Sequence, residues 1–365
     1  MNALIAMPVG IDTDVVANKL GGEIFRCVPS SKQVRRLLIG VLDTALQIGI
    51  NERAIMAVDN SDKSADVARS GLLARCPLFF FFLLSFVLTW GYFWLIWAPL
   101  GLPHSLIALG GFGPAVSALL VLAATSGKPG VLRLLRSIVH WRVGVRWYLM
   151  ALLGLPILNF LAFLVVPGTL ADFAGPNWRF PQVYLTEMGL SVTIGIAPMW
   201  EEIGWRGLGQ PYLQRQHGPV VGTLILGALW GVWHLPFFFG PLAQTGPNAT
   251  FVSATVALVE FTIGLTGLSV VMAWVLNNCG GSTLMAILLH AAFDSSGLAM
   301  VALFPSTAPY YLPVHYQTLG IAIIYSAAAL VLIVVTRGDL SYKRYQREVE
   351  LSATSGIMAH TGRQT

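Results

Sequence analysis

From Pro77 to Val335 the chain is a succession of apolar runs, each about 20 residues long, the length that spans a hydrocarbon core of about 30 Å as a helix. In lipid every backbone N–H and C=O must be satisfied inside the protein, so only helices and closed barrels can cross. The runs lack the period-two alternation of barrel strands. The fold class that follows is all-α, a polytopic transmembrane helix bundle of about eight spans. Hydrophobic residues make up 55% of the chain and charged residues 11%, so the expected partner along most of the surface is the lipid bilayer.

The expected spans are Leu78–Ala98, Ser105–Thr125, Trp147–Pro167 (kinked at Pro156), Val183–Gln214, Pro219–Phe237, Phe251–Leu276, Ser282–Phe304 and Tyr316–Val335. The basic residues support this count. Arg69, Arg75, the acid-free loop Ser126–Arg146, Arg215 and the tail from Arg337 all fall on one side, whereas the loops 99–104, 238–250 and 305–315 carry no Lys or Arg. Positive-inside logic then makes this an integral multi-pass protein of the cell membrane with both termini cytoplasmic. The same logic accounts for the net charge of +5 as a topology signal and argues against a nucleic-acid partner. Cys27, Cys76 and Cys279 are far apart in the chain and form neither a CxxC nor a disulfide framework.

Residues 1–75 are a polar N-terminal extension holding 9 basic and 8 acidic residues. Gln33–Ile50 has helical amphipathicity, and Met56 is a candidate natural start. Residues 76–336 form the membrane domain, and 337–365 a basic cytoplasmic tail.

Three polar stretches interrupt the apolar background. The first is Trp200–Gln210, which places Glu201, Glu202 and Arg206 inside a span, where each charge costs roughly 2.5–3.5 kcal/mol on insertion scales. The second ends in His234 and the third holds His290 and Asp294. Glu202 and Arg206 are four apart, on one helix face, and form the expected structural ion pair. Glu201 points about 100° away and is the candidate general base. At about 1.5 Å rise per residue, Glu201, His234 and His290 each lie about 20–22 Å from the basic end of their span. Asp294, one turn beyond His290, is placed to orient its imidazole.

A glutamate and two histidines at one depth suit hydrolysis. Glu201 and His234 would activate water and His290 would stabilise the oxyanion. One carboxylate and two histidines is also a zinc ligand set, so a divalent metal held by Glu201, His234 and His290 stays open. There is no HExxH, no GxGD, and Gly280-Gly281-Ser282-Thr283 only half matches a rhomboid serine motif.

Together the stretches resemble the CPBP intramembrane proteases, which include type II CAAX prenyl endopeptidases and the bacteriocin-processing Abi proteins. Glu201, Glu202 and Arg206 match the family's EExxxR. His234 matches its FxxxH, with Trp230 in place of the Phe. His290 and Asp294 match its HxxxN or HxxxD. Trp274-Val-Leu-Asn277 and Ser282 also resemble the family. The resemblance implies an eight-helix bundle, water activation by Glu201 and His234, and an oxyanion pocket at His290 and residue 294. The implied substrate is a peptide or membrane protein, prenylated or not. Two other classes remain as alternatives: a non-catalytic scaffold or immunity protein of the same fold, and a proton-coupled transporter.

Overall fold

The computed structural model describes residues 76–193, 198–239, 250–305 and 316–349. The amphipathic stretch Gln33–Ile50 and the candidate start at Met56 lie outside them. Among the described residues the regular structure is helical throughout. Helix α1 (Pro77–Gly91) continues through a π turn (Tyr92–Trp97). A 3-10 stretch (His104–Gly111) leads into α2 (Phe112–Ile138). Helix α3 (Val145–Leu149), a π turn (Met150–Gly154) and α4 (Leu155–Leu164) follow in line. Next come α5 (Arg179–Thr193), α6 (Pro198–Gly204), a π turn (Trp205–Gly209) and α7 (Gln210–His217). Helix α8 (Pro219–Trp233) leads to the short α9 (Leu235–Phe238), and α10 (Phe251–Asn278), α11 (Thr283–Ala299) and α12 (Tyr316–Val335) complete the order.

Among the described residues six stretches are long and apolar enough to cross a membrane: Pro77–Trp97, Leu106–Ile138, Val145–Leu164, Phe251–Asn278, Thr283–Ala302 and Thr318–Val335. The protein is thus a helical polytopic bundle. The other two expected spans have a different form. Pro219–Trp233 is apolar but short. Within the stretch expected as one helix over Val183–Gln214, a π turn at Trp205–Gly209 separates α6 from α7.

The loop expected over Ser126–Arg146 is also different. Helix α2 runs on to Ile138, with a kink at Gly127, whose φ of 59° and ψ of −156° leave the helical region. Glycine takes the positive φ without the Cβ clash other residues meet. Before Pro156 the helix passes through a π turn, and Pro156 sits in the first turn of α4.

Small residues decide which helices approach closely. Gly227 and Gly231 lie one turn apart on α8, and a Cβ at either would come within 2.6 Å and 2.7 Å of the Cα atoms of Thr266 and Thr262 on α10. Gly267 of α10 meets the Tyr325 carbonyl of α12 at 2.5 Å in the same sense. Such contacts replace the hydrophobic driving force that lipid removes. The outer face is apolar, as the lipid-facing stripe Phe79, Leu83 and Val87 of α1 illustrates. The Thr283–Ala302 span is the most buried of the six, and it carries His290.

The start of the tail is not loose. Leu340 and Tyr342 are buried. Asn277 Nδ2 donates to the Leu340 carbonyl at 2.9 Å and Asn278 Nδ2 to Ser341 Oγ at 2.8 Å. Residues 342–349 are helical.

Candidate active site

The site forms where α6, α8 and α11 meet. Helix α6 enters closely because of Gly204, whose Cβ position would lie 2.5 Å from Pro114 Cβ and 2.6 Å from its carbonyl on α2. That approach buries both Glu201 and Glu202. The helix then widens into the π turn at Trp205. Such turns recur at functional sites because they re-aim the residues they carry.

Glu202 is the hub. Its Oε1 accepts from Arg206 Nη1 at 2.9 Å and pairs with His290 Nδ1 at 2.8 Å. An ionised carboxylate has no proton to give, so Nδ1–H is the donor. Arg206 Nη2 donates onward to Ser269 Oγ of α10 at 3.1 Å, and its guanidinium lies over the Trp230 ring, 4.0 Å from the centroid. Carboxylate, serine and indole face together offset the burial of the arginine. The expected ion pair is therefore present, and it also ties α6 to α11.

Glu201 has a different partner. Its Oε2 accepts the Trp230 indole N–H at 2.8 Å, which leaves Oε1 for a second ligand. The same tryptophan holds His234. Helix α8 ends there, with the His234 amide turning back to the Gly231 carbonyl, and Pro236 prevents continuation. The Trp230 carbonyl, released from the regular ladder, pairs with His234 Nδ1 at 2.8 Å. Nδ1 carries the proton in that contact, so Nε2 is an acceptor. Trp233, Phe261 and Phe237 surround the ring, with centroids at 4.9, 5.1 and 5.8 Å.

His290 Nε2 faces Asp294 Oδ2 at 3.4 Å, beyond good hydrogen-bond length. The carboxylate that orients this imidazole is thus Glu202, not Asp294 as the spacing suggests. The Asp294 side chain is 46% exposed, so this edge of the site opens outward. Glu260, which has no partner by sequence, accepts from Thr318 Oγ1 at 2.7 Å and joins α10 to α12.

The structure brings Glu201, Glu202, Arg206, His234, His290 and Asp294 into one network. The residue that sequence reasoning passed over is Trp230. It bridges Glu201 and His234 and stacks edge-on to His290 at 5.2 Å. The available signal was an indole donor standing where the family motif has a Phe. The donors suit a metal poorly. Among the described residues no three His, Cys, Asp or Glu side chains are grouped to hold an ion. Both ring nitrogens of His290 face carboxylates, and one oxygen of Glu201 is occupied by the indole.

Residues 185–296 match the family described as type II CAAX prenyl endopeptidase, Rce1-like. A curated relative, the CAAX prenyl protease 2 of Methanococcus maripaludis, is 23% identical over 95 residues, which is 26% of this chain and 34% of the relative. The chain therefore matches about a third of that protein's length. The matched segment contains all six polar residues of the network and Trp230. Over residues 185–296, about a third of its length, the chain is thus similar to the Rce1-like, type II CAAX prenyl endopeptidases.

Proposed function

We propose that the protein is an intramembrane endopeptidase that hydrolyses a peptide bond near the cytoplasmic membrane face. The observation that carries this reading is the double hold of Trp230. One residue holds Glu201 by a single carboxylate oxygen and His234 by a single imidazole nitrogen, and the other oxygen and the other nitrogen are left for a shared water. A water between them gives one proton to Glu201 Oε1 while His234 Nε2 accepts a hydrogen bond from the O–H that remains. The water oxygen bonds to the peptide carbonyl carbon, and the oxyanion is met from the His290 and Asp294 side. Glu201 then passes its proton to the departing amine as the C–N bond breaks.

Glu202 and Arg206 act by position. They hold His290 and the α6–α10 contact and do not touch the substrate. The substrate is a peptide or a membrane-protein segment, and the CAAX affinity of the domain favours a C-terminal one, prenylated or not. No step requires a metal. The protein is an integral membrane protein of the cell membrane, with both termini cytoplasmic and residues 76–336 as the functional domain.

The test is cleavage of a membrane-tethered peptide library by purified protein in nanodiscs, wild type against Glu201→Gln. Cleavage that disappears in a folded variant supports the glutamate as base. Equal cleavage by both refutes it. No cleavage by either, across prenylated and unprenylated peptides, returns the reading to a scaffold.

A further inference from the structure

The stretch 127–146 does not belong in the hydrocarbon. The candidate span Leu106–Ile138 is 33 residues long, about 50 Å at 1.5 Å per residue, against a core of about 30 Å. The Gly127 kink falls where that length is used up. Beyond it Lys128, Arg133, Arg136, Arg142 and Arg146 are all exposed, and no acidic residue occurs between 126 and 146. Among the described residues no carboxylate pairs with any of the five. Leu132, Leu135, Val139 and Trp141 are exposed beside them, Val139 and Trp141 by more than 60%. A strip of cations interleaved with exposed apolar side chains complements an interface with phosphate above and acyl chain below.

The buried side of the strip touches both helices that carry the acid and the histidine. Leu134 presses on Gly207, next to Arg206. Ser137 Oγ bonds Thr283 Oγ1 at 2.7 Å, and Ser282 Oγ donates to the His140 carbonyl at 2.6 Å, so the start of α11 hangs from this segment.

We infer that residues 127–146 are an interfacial binding surface for anionic phospholipid headgroups, coupled through Leu134, Ser137 and His140 to the helices bearing Glu202 and His290. The lipid-binding part rests on the membrane fold alone. The coupling rests on the proposed hydrolase reading.

The experiment uses the full chain in nanodiscs of phosphatidylcholine and phosphatidylglycerol in equal parts, with retained lipid counted by native mass spectrometry. Wild type should keep phosphatidylglycerol in excess. Arg133→Gln/Arg136→Gln/Arg142→Gln should lose that preference by at least about tenfold, at about fivefold per basic residue removed from an anionic surface. Arg337→Gln/Lys343→Gln/Arg347→Gln, with the same charge change elsewhere, should keep it. Should the first variant fail to fold, salt replaces it: raising NaCl from about 0.05 to about 0.5 M should erase the wild-type preference. Equal retention of the two lipids by wild type, equal loss in both variants, or a preference indifferent to salt overturns the assignment. For the coupling, peptide cleavage by wild type should rise when phosphatidylglycerol is added, and the first variant should not respond. A lipid preference with cleavage unaffected overturns the coupling alone, and cleavage absent in every lipid overturns the hydrolase reading while leaving the lipid result standing.

Discussion

Substituting each of the two adjacent glutamates by glutamine should give opposite results. In Glu202→Gln the buried Arg206 loses its only charged hydrogen-bond partner among the described residues, and His290 loses a carboxylate acceptor. Removing one partner of a buried pair costs about 3–5 kcal/mol. Glutamine retains a carbonyl oxygen for one of the two donors, so the lower end, about 3 kcal/mol, is expected here. That is about 100-fold in the unfolding constant. Glu201→Gln differs, because its amide oxygen can still accept the Trp230 indole N–H, and its cost should stay below about 1 kcal/mol. Titration of the purified protein with SDS in mixed micelles, followed by tryptophan fluorescence, measures both. On the proposed mechanism Glu201→Gln is folded and inactive, whereas Glu202→Gln is destabilised and partly active where it folds. A Glu202→Gln protein as stable as wild type, or a Glu201→Gln protein that unfolds, would refute the division of roles.

Three further outcomes follow from the same geometry. Asp294→Asn replaces an acceptor by a possible donor beside His290 Nε2; if this edge meets the oxyanion, cleavage should hold or rise, whereas Asp294→Leu should lower it by about 10-fold or more, read as kcat with membrane-tethered peptide. Gly204→Leu should destabilise by roughly 1–3 kcal/mol or more, because even a Cβ meets Pro114, and the SDS titration midpoint reports it. Asn159 donates from Nδ2 to the Phe293 carbonyl and to Ser296 Oγ, both at 2.8 Å, and accepts from Tyr325 at 2.8 Å, so Asn159→Leu removes a partner from three polar groups on α11 and α12. It should cost about 1–3 kcal/mol, more than Tyr325→Phe, which removes one donor; equal costs would argue against the network.

Hydropathy made the bundle legible because lipid imposes one length of apolar run on every span. The same averaging concealed the π turn at Trp205–Gly209, since hydropathy does not distinguish an α turn from a π turn. It also turned Ser126–Ile138 into a loop. Its arginines are exposed, but exposure does not end a helix, and only the Gly127 φ separates the two segments. At the site, the Glu202–Arg206 pair could be read from i,i+4 spacing, because that contact is local to one helix. Which glutamate takes His290 could not. That choice depends on how far α6 is rotated, and the rotation is fixed by Gly204 against Pro114 and by the π turn at Trp205, neither of which leaves a periodic trace.

Trp230 shows the limit of reading a motif by residue class. A phenylalanine four residues before His234 would fill space and offer its backbone carbonyl to the imidazole. The tryptophan does both and adds an N–H, and that N–H reaches Glu201 at 2.8 Å. Its ring face meanwhile carries the Arg206 guanidinium. The exchange therefore enlarges the residue's role from packing to orientation: the acid of the first motif is held by the second. A carboxylate with one oxygen fixed and one free has a defined direction for its remaining lone pairs, the requirement for a base that must meet a single water. In relatives with Phe at this position another donor must hold the acid, or it must be less constrained. Trp230→Phe in this chain should then keep the fold, since the Arg206 stacking surface and the His234 anchor both survive, while cleavage falls by about 10-fold, the order expected when one hydrogen bond of about 1.5 kcal/mol to a charged group is lost. Unchanged cleavage in this variant would mean that Glu201 is oriented by its backbone position alone and that the indole bond is incidental.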